Sequence, residues 1–357
     1  MKVGVVGLPN AGKSTLFNAL TRAGAETAVY PFTTVDPNVA VVEVPDERLD
    51  AVAEVVGASP VIRETIEFHD IAGLVRGAAE GEGLGNQFLA GIRETDAICH
   101  VVRAHTDERV PHPEGHLDPG ADVEAVEAEL MLADLEQAEG RFARVVKQAA
   151  SSDPEAGAER DWLERVIEAL GRGEPVSSVP VPDTAAGAPE RLQALTSKPV
   201  LYVANVDEGV VEVPDAVSAR ARRSGTGAVA IAARIESELA EMDRAEADEM
   251  RQELSLPAAG LERLIGAAYE LLGLITFFTA HEGSEGRARS LPRGGTAWDA
   301  AGKVHSDIQS GFVRAEVVPW DQLVEAGGYA AARERALLRT EGREYAVQDG
   351  DVITIRS

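Results

Sequence analysis

Apolar positions along this chain come as short strand-like runs separated by stretches with helical spacing. Val3–Val6 is a compact apolar run, Val39–Val44 and Glu64–His69 alternate, and Pro199–Ala204 and Ala228–Ala232 are again short and apolar. Each is read as a strand. Thr15–Thr21 reads as a helix behind the first run. Between residues 122 and 150, Val123, Val126, Leu130, Leu132 or Ala133, Leu135 and Phe142 recur on one side of a long helix. Asp161–Leu170 reads as a returning helix, and the Gly/Ser/Asp stretch 151–159 joins the two into an antiparallel hairpin. The Pro-rich segment 175–189 is a linker, followed by a short helix at Pro189–Leu195. After a helix at Gly260–Leu272, the tail mixes types: a strand at Ile275–Ala280, a helix at Thr296–His305, and strands at Arg314–Val318 and Val352–Ile355. The pattern predicts an α/β chain with a helical insertion and a small mixed domain at its end.

The first strand runs into G-L-P-N-A-G-K-S-T, residues 7–15, and then a helix. Gly7, four residues, Gly12, Lys13 and Ser14 form the spacing of a phosphate-binding loop. Glycines let successive backbone N–H groups converge on phosphate oxygens, and the helix adds its positive N-terminus. Asn10, Ala11, Gly12, Lys13, Ser14 and Thr15 are therefore the expected phosphate contacts, with Lys13 at the β- and γ-phosphates and the Ser14 hydroxyl on Mg²⁺.

A second metal element follows the strand Glu64–His69 as D-I-A-G, Asp70 to Gly73. Asp70 would hold Mg²⁺, and the Gly73 amide would sense the γ-phosphate. In Tyr30-Pro31-Phe32-Thr33-Thr34 a threonine hydroxyl can complete the Mg²⁺ shell; Thr34 is the first choice and Thr33 the second. Arg76–Gly85 is glycine-rich and is expected to move with the nucleotide state.

The base-reading loop should follow the strand Pro199–Ala204. GTPases carry N-K-x-D there, with the aspartate accepting from guanine. This chain has Asn205-Val206-Asp207-Glu208, so a longer carboxylate stands in the aspartate's place. Asn205 can pair with a purine N7 or the adenine amine. The loop argues for ATP, with GTP weaker, or at least for lost guanine discrimination. Ala232, Ala233 and the following Arg234-Ile235 should floor the base pocket.

Composition narrows the setting. The net charge is −26, of which residues 281–357 carry only about −2. So acidic a body would be repelled by bulk nucleic acid, leaving the near-neutral tail as the place for local RNA contact. Arg287, Arg289, Arg293, Lys303, His305 and Arg314 are the candidate patch there. Cys99 is the single cysteine and reads as a packing residue. There is no run of 18 apolar residues and no signal peptide, so the expected setting is the cytoplasm, without a membrane.

Taken together, these motifs resemble the Obg-related YchF family, the Obg-like ATPases of the translation-factor class. The matching pieces are the P-loop, Y-P-F-T-T-V-D-P-N, D-I-A-G-L-V-R-G-A-A-E-G-E-G-L-G-N-Q-F-L, N-V-D-E, and the tail's G-F-V-R-A-E-V and Y-A-V-Q-D-G-D-V-I. They run through the whole chain. The resemblance implies a Ras/Obg-like P-loop domain (1–120 plus 198–280), a helical hairpin or coiled-coil insertion (121–197) and a C-terminal β-grasp TGS domain (281–357). It also implies ATP hydrolysis in preference to GTP and association with the ribosome or rRNA, through the TGS domain and the insertion. A monomer is expected. The base-pocket segment Ala232-Ala233 lacks the family's frequent serine or cysteine, and Thr33 stands for a frequent cysteine.

Ras-like enzymes orient the attacking water with a glutamine after D-x-x-G; here that place is Leu74. The resemblance puts a histidine in that role at His112, in R-V-P-H-P-E-G-H; a solvent-exposed loop histidine is the alternative. It also suggests that Asn10 holds a K⁺ ion in place of an arginine finger, the alternative being that Asn10 only shapes the loop. Two rival functions stand beside the ribosomal ATPase: a GTPase in ribosome assembly, and a nucleotide-gated regulator of stress responses that binds other proteins.

Overall fold

The structure, a computed structural model, describes every residue except 28–37, 72–83, 108, 114, 150–152, 255 and 257–259. Thr33, Thr34, Gly73, Leu74 and most of the glycine-rich stretch after them therefore lie outside the described residues. The chain forms two compact units: residues 1–41 with 67–268, and residues 42–66 with 269–357.

Its strands, in chain order, are β1 (Lys2–Val6), β2 (Val39–Glu43), β3 (Val61–Ile62), β4 (Thr65–Asp70), β5 (Ala97–Arg103), β6 (Val200–Asn205), β7 (Ala228–Ile231), β8 (Leu274–Thr279), β9 (Gly286–Pro292), β10 (Arg314–Pro319), β11 (Arg339–Glu341) and β12 (Asp351–Arg356). The first sheet has the order β2-β4-β1-β5-β6-β7. The β4–β1, β1–β5, β5–β6 and β6–β7 pairs are all parallel, with Val5 in register with both Asp70 and Cys99. Every residue of β5 is buried, as expected for a strand covered on both faces. Burial pushes the Cys99 thiol up to about 12, so it is the packing residue the sequence suggested.

The long helix spans Pro119–Ala149 and serves two cores. Val126, Leu130 and Ala133 pack with Val6, Ile92 and Ile98 of the sheet layer. Ala138 and Val145, further along, pack with Trp162, Leu163 and Val166 of the returning helix Pro154–Gly171. Of the two residues left open at the fourth position, Ala133 is buried, while Leu132 is 52% exposed. The returning helix starts at Pro154 rather than Asp161, because Asp153 caps it by accepting from the Glu155 N–H and proline suits the first turn. Only residues 150–153 separate the two helices, where a stretch to 159 was expected. The buried Asp134 carboxylate then accepts from Leu195 N, Thr196 N and Thr196 Oγ1, fastening the return segment to the long helix.

The second unit is a mixed sheet of order β11-β10-β12-β8-β9-β3. β8 and β9 are antiparallel, β12 and β8 parallel, and β10 and β12 antiparallel. Successive residues of β8 serve opposite faces: Phe277 packs with Ala297, Ala300 and Ala301, and Phe278 with Leu49, Val52 and Leu323. The first face is covered by the helix Ala297–Val304, opened by a Thr296/Asp299 capping box. The second is covered by the helix Glu47–Val56, a segment assigned by sequence to the nucleotide domain. β8, too, was assigned there, and the contacts place it in the second unit. β9 was missed because its alternating Arg287 and Arg289 were read as a basic patch.

Candidate functional site

The glycine-rich loop leaves β1 in a conformation few side chains allow. Gly7 has φ +153°, and a Cβ there would lie 2.3 Å from the Val101 carbonyl oxygen. Gly12 has φ +96°, and its Cβ would lie 2.1 Å from Asn205 Nδ2. Asn10, at φ +65°, is of a type that tolerates the left-handed region, and its Nδ2 donates to the Pro111 carbonyl at 3.0 Å. The helix Lys13–Thr27 follows without a break.

Lys13 is buried, its Nζ donating to the Gly7 and Leu8 carbonyls at 2.9 and 2.8 Å. Burial pulls its pKa down, and the Asp70 charge opposes that. Burial pushes the half-buried Asp70 carboxyl up, against the field of Lys13. The two oppositely charged groups thus sense each other, Lys13 at the start of its helix and Asp70 at the end of β4. Behind them His100 on β5 is wholly buried, and burial together with the Lys13 charge lowers its pKa to about 3, so the ring is neutral.

A cavity of about 760 Å³ opens from this loop. Asn10, Gly12, Lys13, Ser14 and Thr15 line one end. Asn205, Val206, Asp207, Glu208, Ala232 and Arg234 line the other. Ala11 and Ala233 stand one layer behind: the Ala11 carbonyl accepts from Asn205 Nδ2 at 3.0 Å, and the Ala233 N–H donates to Asn205 Oδ1 at 3.1 Å. Asn205 is therefore a clasp between the phosphate loop and the base loop, with both amide atoms engaged. Each amide atom keeps a second hydrogen-bonding site and Asn205 lines the cavity, so the clasp is compatible with the expected reading of a purine by that amide. Asp207 is engaged too, accepting from Thr106 N at 3.0 Å and Thr106 Oγ1 at 3.0 Å. Glu208 is exposed at the cavity wall.

The segment after β5 supplies a wall that the sequence reading missed: His105, Thr106, Asp107, Arg109 and Val110. Buried Arg103 braces it from below, donating to the Asp107 carbonyl at 3.1 Å. The available signal was position, since ligands in doubly wound sheets sit beyond the carboxyl ends of the strands.

His112 is not among the lining residues. Its side chain is 7% exposed, and Nε2 lies 3.0 Å from the Asp122 carboxylate in the first turn of the long helix. The candidate RNA patch is also largely engaged. Arg287 pairs with Glu285 at 3.3 Å, Arg314 with Glu316 at 3.9 Å, and Arg289 donates to the Lys303 carbonyl and Thr279 Oγ1. His305 Nδ1 accepts from the Asp307 N–H.

The donor set beside Lys13 suits a hard divalent cation. Ser14 offers a hydroxyl and Asp70 a carboxylate near the phosphate end, and magnesium prefers such oxygens with water and phosphate making up the rest. Among the described residues no group of three His, Cys, Asp or Glu side chains forms a protein-only cage. Nor is any helix among them long and apolar enough to cross a membrane.

Comparison with known proteins gives the following similarities. The family model MMR_HSR1, "50S ribosome-binding GTPase", matches residues 2–132, and YchF-GTPase_C, "Protein of unknown function (DUF933)", matches residues 274–357. A "Ribosome-binding ATPase YchF" of Bacillus subtilis is 47% identical, covering 100% of this chain and 99% of that protein. Another, of Escherichia coli O157:H7, is 45% identical over 99% of this chain and 98% of its own. The solved structure of the Schizosaccharomyces pombe YchF GTPase superposes with a TM-score of 0.86 at 31% identity, covering 100% of this chain and 97% of that one.

Proposed function

This chain belongs to the YchF family of P-loop nucleoside triphosphatases, and we propose that it is a ribosome-associated ATPase acting as a nucleotide-state switch, splitting ATP to ADP and phosphate in preference to GTP. The observation that carries the base preference is the occupied state of the loop 205–208. A guanine reader needs a free aspartate aimed at the base, whereas the loop's one aspartate, Asp207, is held by Thr106. Glu208, in the reader's place, is a methylene longer. The test is a side-by-side titration of ATP and GTP with Mg²⁺ on wild type and Glu208→Asp. Tighter ATP binding by wild type, with the gap narrowed in the variant, is expected; tighter GTP binding by wild type overturns the reading and favours an assembly GTPase.

In this reading Lys13 turns from the Gly7 and Leu8 carbonyls to the β- and γ-phosphate oxygens, and the N–H groups of residues 10–15 receive the rest of the charge. Ser14, Asp70 and Thr34 would hold Mg²⁺, which when bound would neutralise charge on the phosphates. The Gly73 amide answers to the γ-phosphate. Asn10 spends its amide N–H on Pro111, leaving an amide oxygen as the donor a K⁺ ion would take; exchange of K⁺ for Na⁺ tests that role. His112 serves as the water-positioning group once its ring leaves Asp122, so Asp122→Asn, which weakens that hold, is expected to alter turnover more than ATP affinity.

The ribosome enters through the relatives, which are ribosome-binding ATPases. The helical insertion and the second unit are the proposed contact surfaces of a cytoplasmic monomer. Cosedimentation with ribosomes that differs between ATP and ADP supports this. Ribosomes that neither bind nor stimulate, with nucleotide-dependent capture of other proteins, would support the stress-regulator reading instead.

A further inference from the structure

We infer that the second unit carries a docking site for an acidic segment of a partner protein, in which three arginines receive carboxylates beside an exposed apolar anchor. The site belongs wholly to residues 269–357 and does not depend on how the nucleotide cavity is read.

Side chains alternate along β10 and β12, so Arg314, Glu316 and Val318 share a face with Val352, Thr354 and Arg356. At one end of that face Val318 and Val352 pack with Leu49 and Leu323. The other end holds charge. Arg314 stands directly opposite Arg356 in the antiparallel ladder, and Glu316 opposite Thr354. Like charges facing each other across strands destabilise a sheet, and an anion between them relieves the cost. Arg356 Nη2 reaches Glu316 Oε2 at 3.2 Å, and Arg314 Nη2 reaches Oε1 at 3.9 Å. Arg333, from the helix Tyr329–Glu334, reaches Oε2 at 3.8 Å. Among the described residues, three positive charges thus meet one negative charge, in a chain of net charge −26. All three guanidinium side chains are more than half exposed, whereas Glu316 is largely covered. The His281 ring, its Nε2 3.4 Å from Thr354 Oγ1, feels the surplus: burial and the Arg356 charge pull its pKa down, against the smaller field of Glu316.

The three arginines converge on a point and do not line a track. A nucleic-acid backbone calls for a groove of cations that follows it. Here the neighbouring cations are each matched locally: Arg287 by Glu285, Arg339 by Glu341 and Asp351, and Arg289 by the Lys303 carbonyl and Thr279 Oγ1. A convergent cluster suits a discrete carboxylate, and arginine clusters are recurring readers of acidic motifs. Glu316 shows that the cradle accepts one. Its contacts to exposed guanidinium groups at 3.2–3.9 Å are weak, so the arginines can be shared with a second carboxylate at little cost. Apolar surface borders the cradle. Val313, 68% exposed, precedes Arg314 and donates its N–H to the Arg356 carbonyl at 2.8 Å. Arg343 ties Trp298, 41% exposed, to the same corner. Its guanidinium donates to the Phe312 carbonyl, and its carbonyl accepts from the Trp298 N–H at 3.2 Å. A phosphate backbone has nothing apolar to lay on Val313, whereas a peptide alternating acidic and apolar residues serves both halves of the surface.

The experiment follows, by fluorescence anisotropy, binding of three labelled probes to the full chain. They are a short peptide alternating glutamate pairs with leucine, its glutamine counterpart, and a single-stranded RNA oligomer. Wild type is compared with Arg333→Ala/Arg356→Ala, Val313→Ser and Glu316→Gln, each first checked for an unchanged Tm. The expected result is that wild type prefers the glutamate–leucine peptide to the other two probes. The arginine pair is expected to cost about tenfold in affinity for it, and Val313→Ser about threefold. Glu316→Gln removes the internal competitor and is expected to tighten binding about threefold, which a purely structural ion-pair network would not do. Equal binding of the glutamine peptide, or no binding of the glutamate one, overturns the inference. So does unchanged affinity in the arginine pair or in Val313→Ser, or weaker binding by Glu316→Gln. RNA bound as tightly as the peptide also overturns it, and makes the cradle a phosphate-backbone site.

Discussion

The two ends of the cavity proposed to hold the nucleotide are built on opposite principles. At the phosphate end nearly everything is backbone, glycine geometry and one buried lysine held by carbonyls at 2.8 and 2.9 Å. At the base end the groups are charged side chains, two of them more than two-thirds exposed, gathered on Asp107. Fixed backbone suits a ligand part that never varies, the phosphate chain. Side chains on separate loops suit the part that distinguishes one nucleotide from another, since they can be exchanged without disturbing the sheet. Asn205 joins the two ends, so its loss would be felt at both.

The largest expected effect lies at that junction. Gly12→Ala places a methyl 2.1 Å from Asn205 Nδ2 at a φ of +96°. It is expected to cost about 3 kcal/mol of stability and more than about a hundredfold in ATP affinity. Asn205→Ala alone leaves the Ala233 N–H without its acceptor and costs about 1–3 kcal/mol. In the double variant the methyl finds room, so thermal melts should show a summed loss smaller than that of the two singles. Strict additivity would mean that the clasp does not set the loop.

A second, smaller effect separates the ends by pH. The buried His100 ring stays neutral down to about pH 3, while in the unfolded chain it takes up a proton below about 6.5. Unfolding therefore binds a proton in that window, and the contribution is intact above pH 6.5 and eroded as pH falls toward 3. His100→Phe should flatten the fall in Tm between pH 6.5 and pH 4, whereas Asp107→Asn at the base end should leave that slope alone. The smallest effect is at the wall: Asp207→Ala unhooks Thr106 and is expected to weaken ATP about threefold to tenfold, with tripolyphosphate binding unmoved.

The same contrast explains what could be read from the sequence. Gly7, Gly12, Lys13 and Ser14 were legible because a phosphate cradle admits few residue types at few spacings. Of the parallel sheet, β1, β6 and β7 were legible as short apolar runs and β4 by alternation, while the wholly buried β5 was not among the expected strands. Arg234 was legible as part of the base-pocket floor, but Asp107 and Arg109 were not, since an exposed charged side chain has the same local signature whether it faces a ligand or open water. Asn205 was legible as a residue of the base loop but not as a clasp, because only the fold brings Ala11 and Ala233 to its amide. The helix Glu47–Val56 was missed for a related reason: its amphipathic face is satisfied by Phe278 and Leu323, more than two hundred residues further along the chain. His112 remained where the motif put it in sequence, but its ring faces Asp122 rather than the cavity.

The helix Pro119–Ala149 acquires a mechanical meaning from its two cores. Its 31 residues form a rod of about 46 Å. One end is clamped in the nucleotide-binding layer and touched at Asp122 by the loop that carries His112; the other carries the Trp162 core. A rod rooted in this way is a lever arm. A pivot of about 5° at the root would sweep the far end through about 4 Å, several times the displacement at the loop itself. Strokes of that size would be read out by a distance probe between Ala228 of β7 and Lys147 near the far end of the rod.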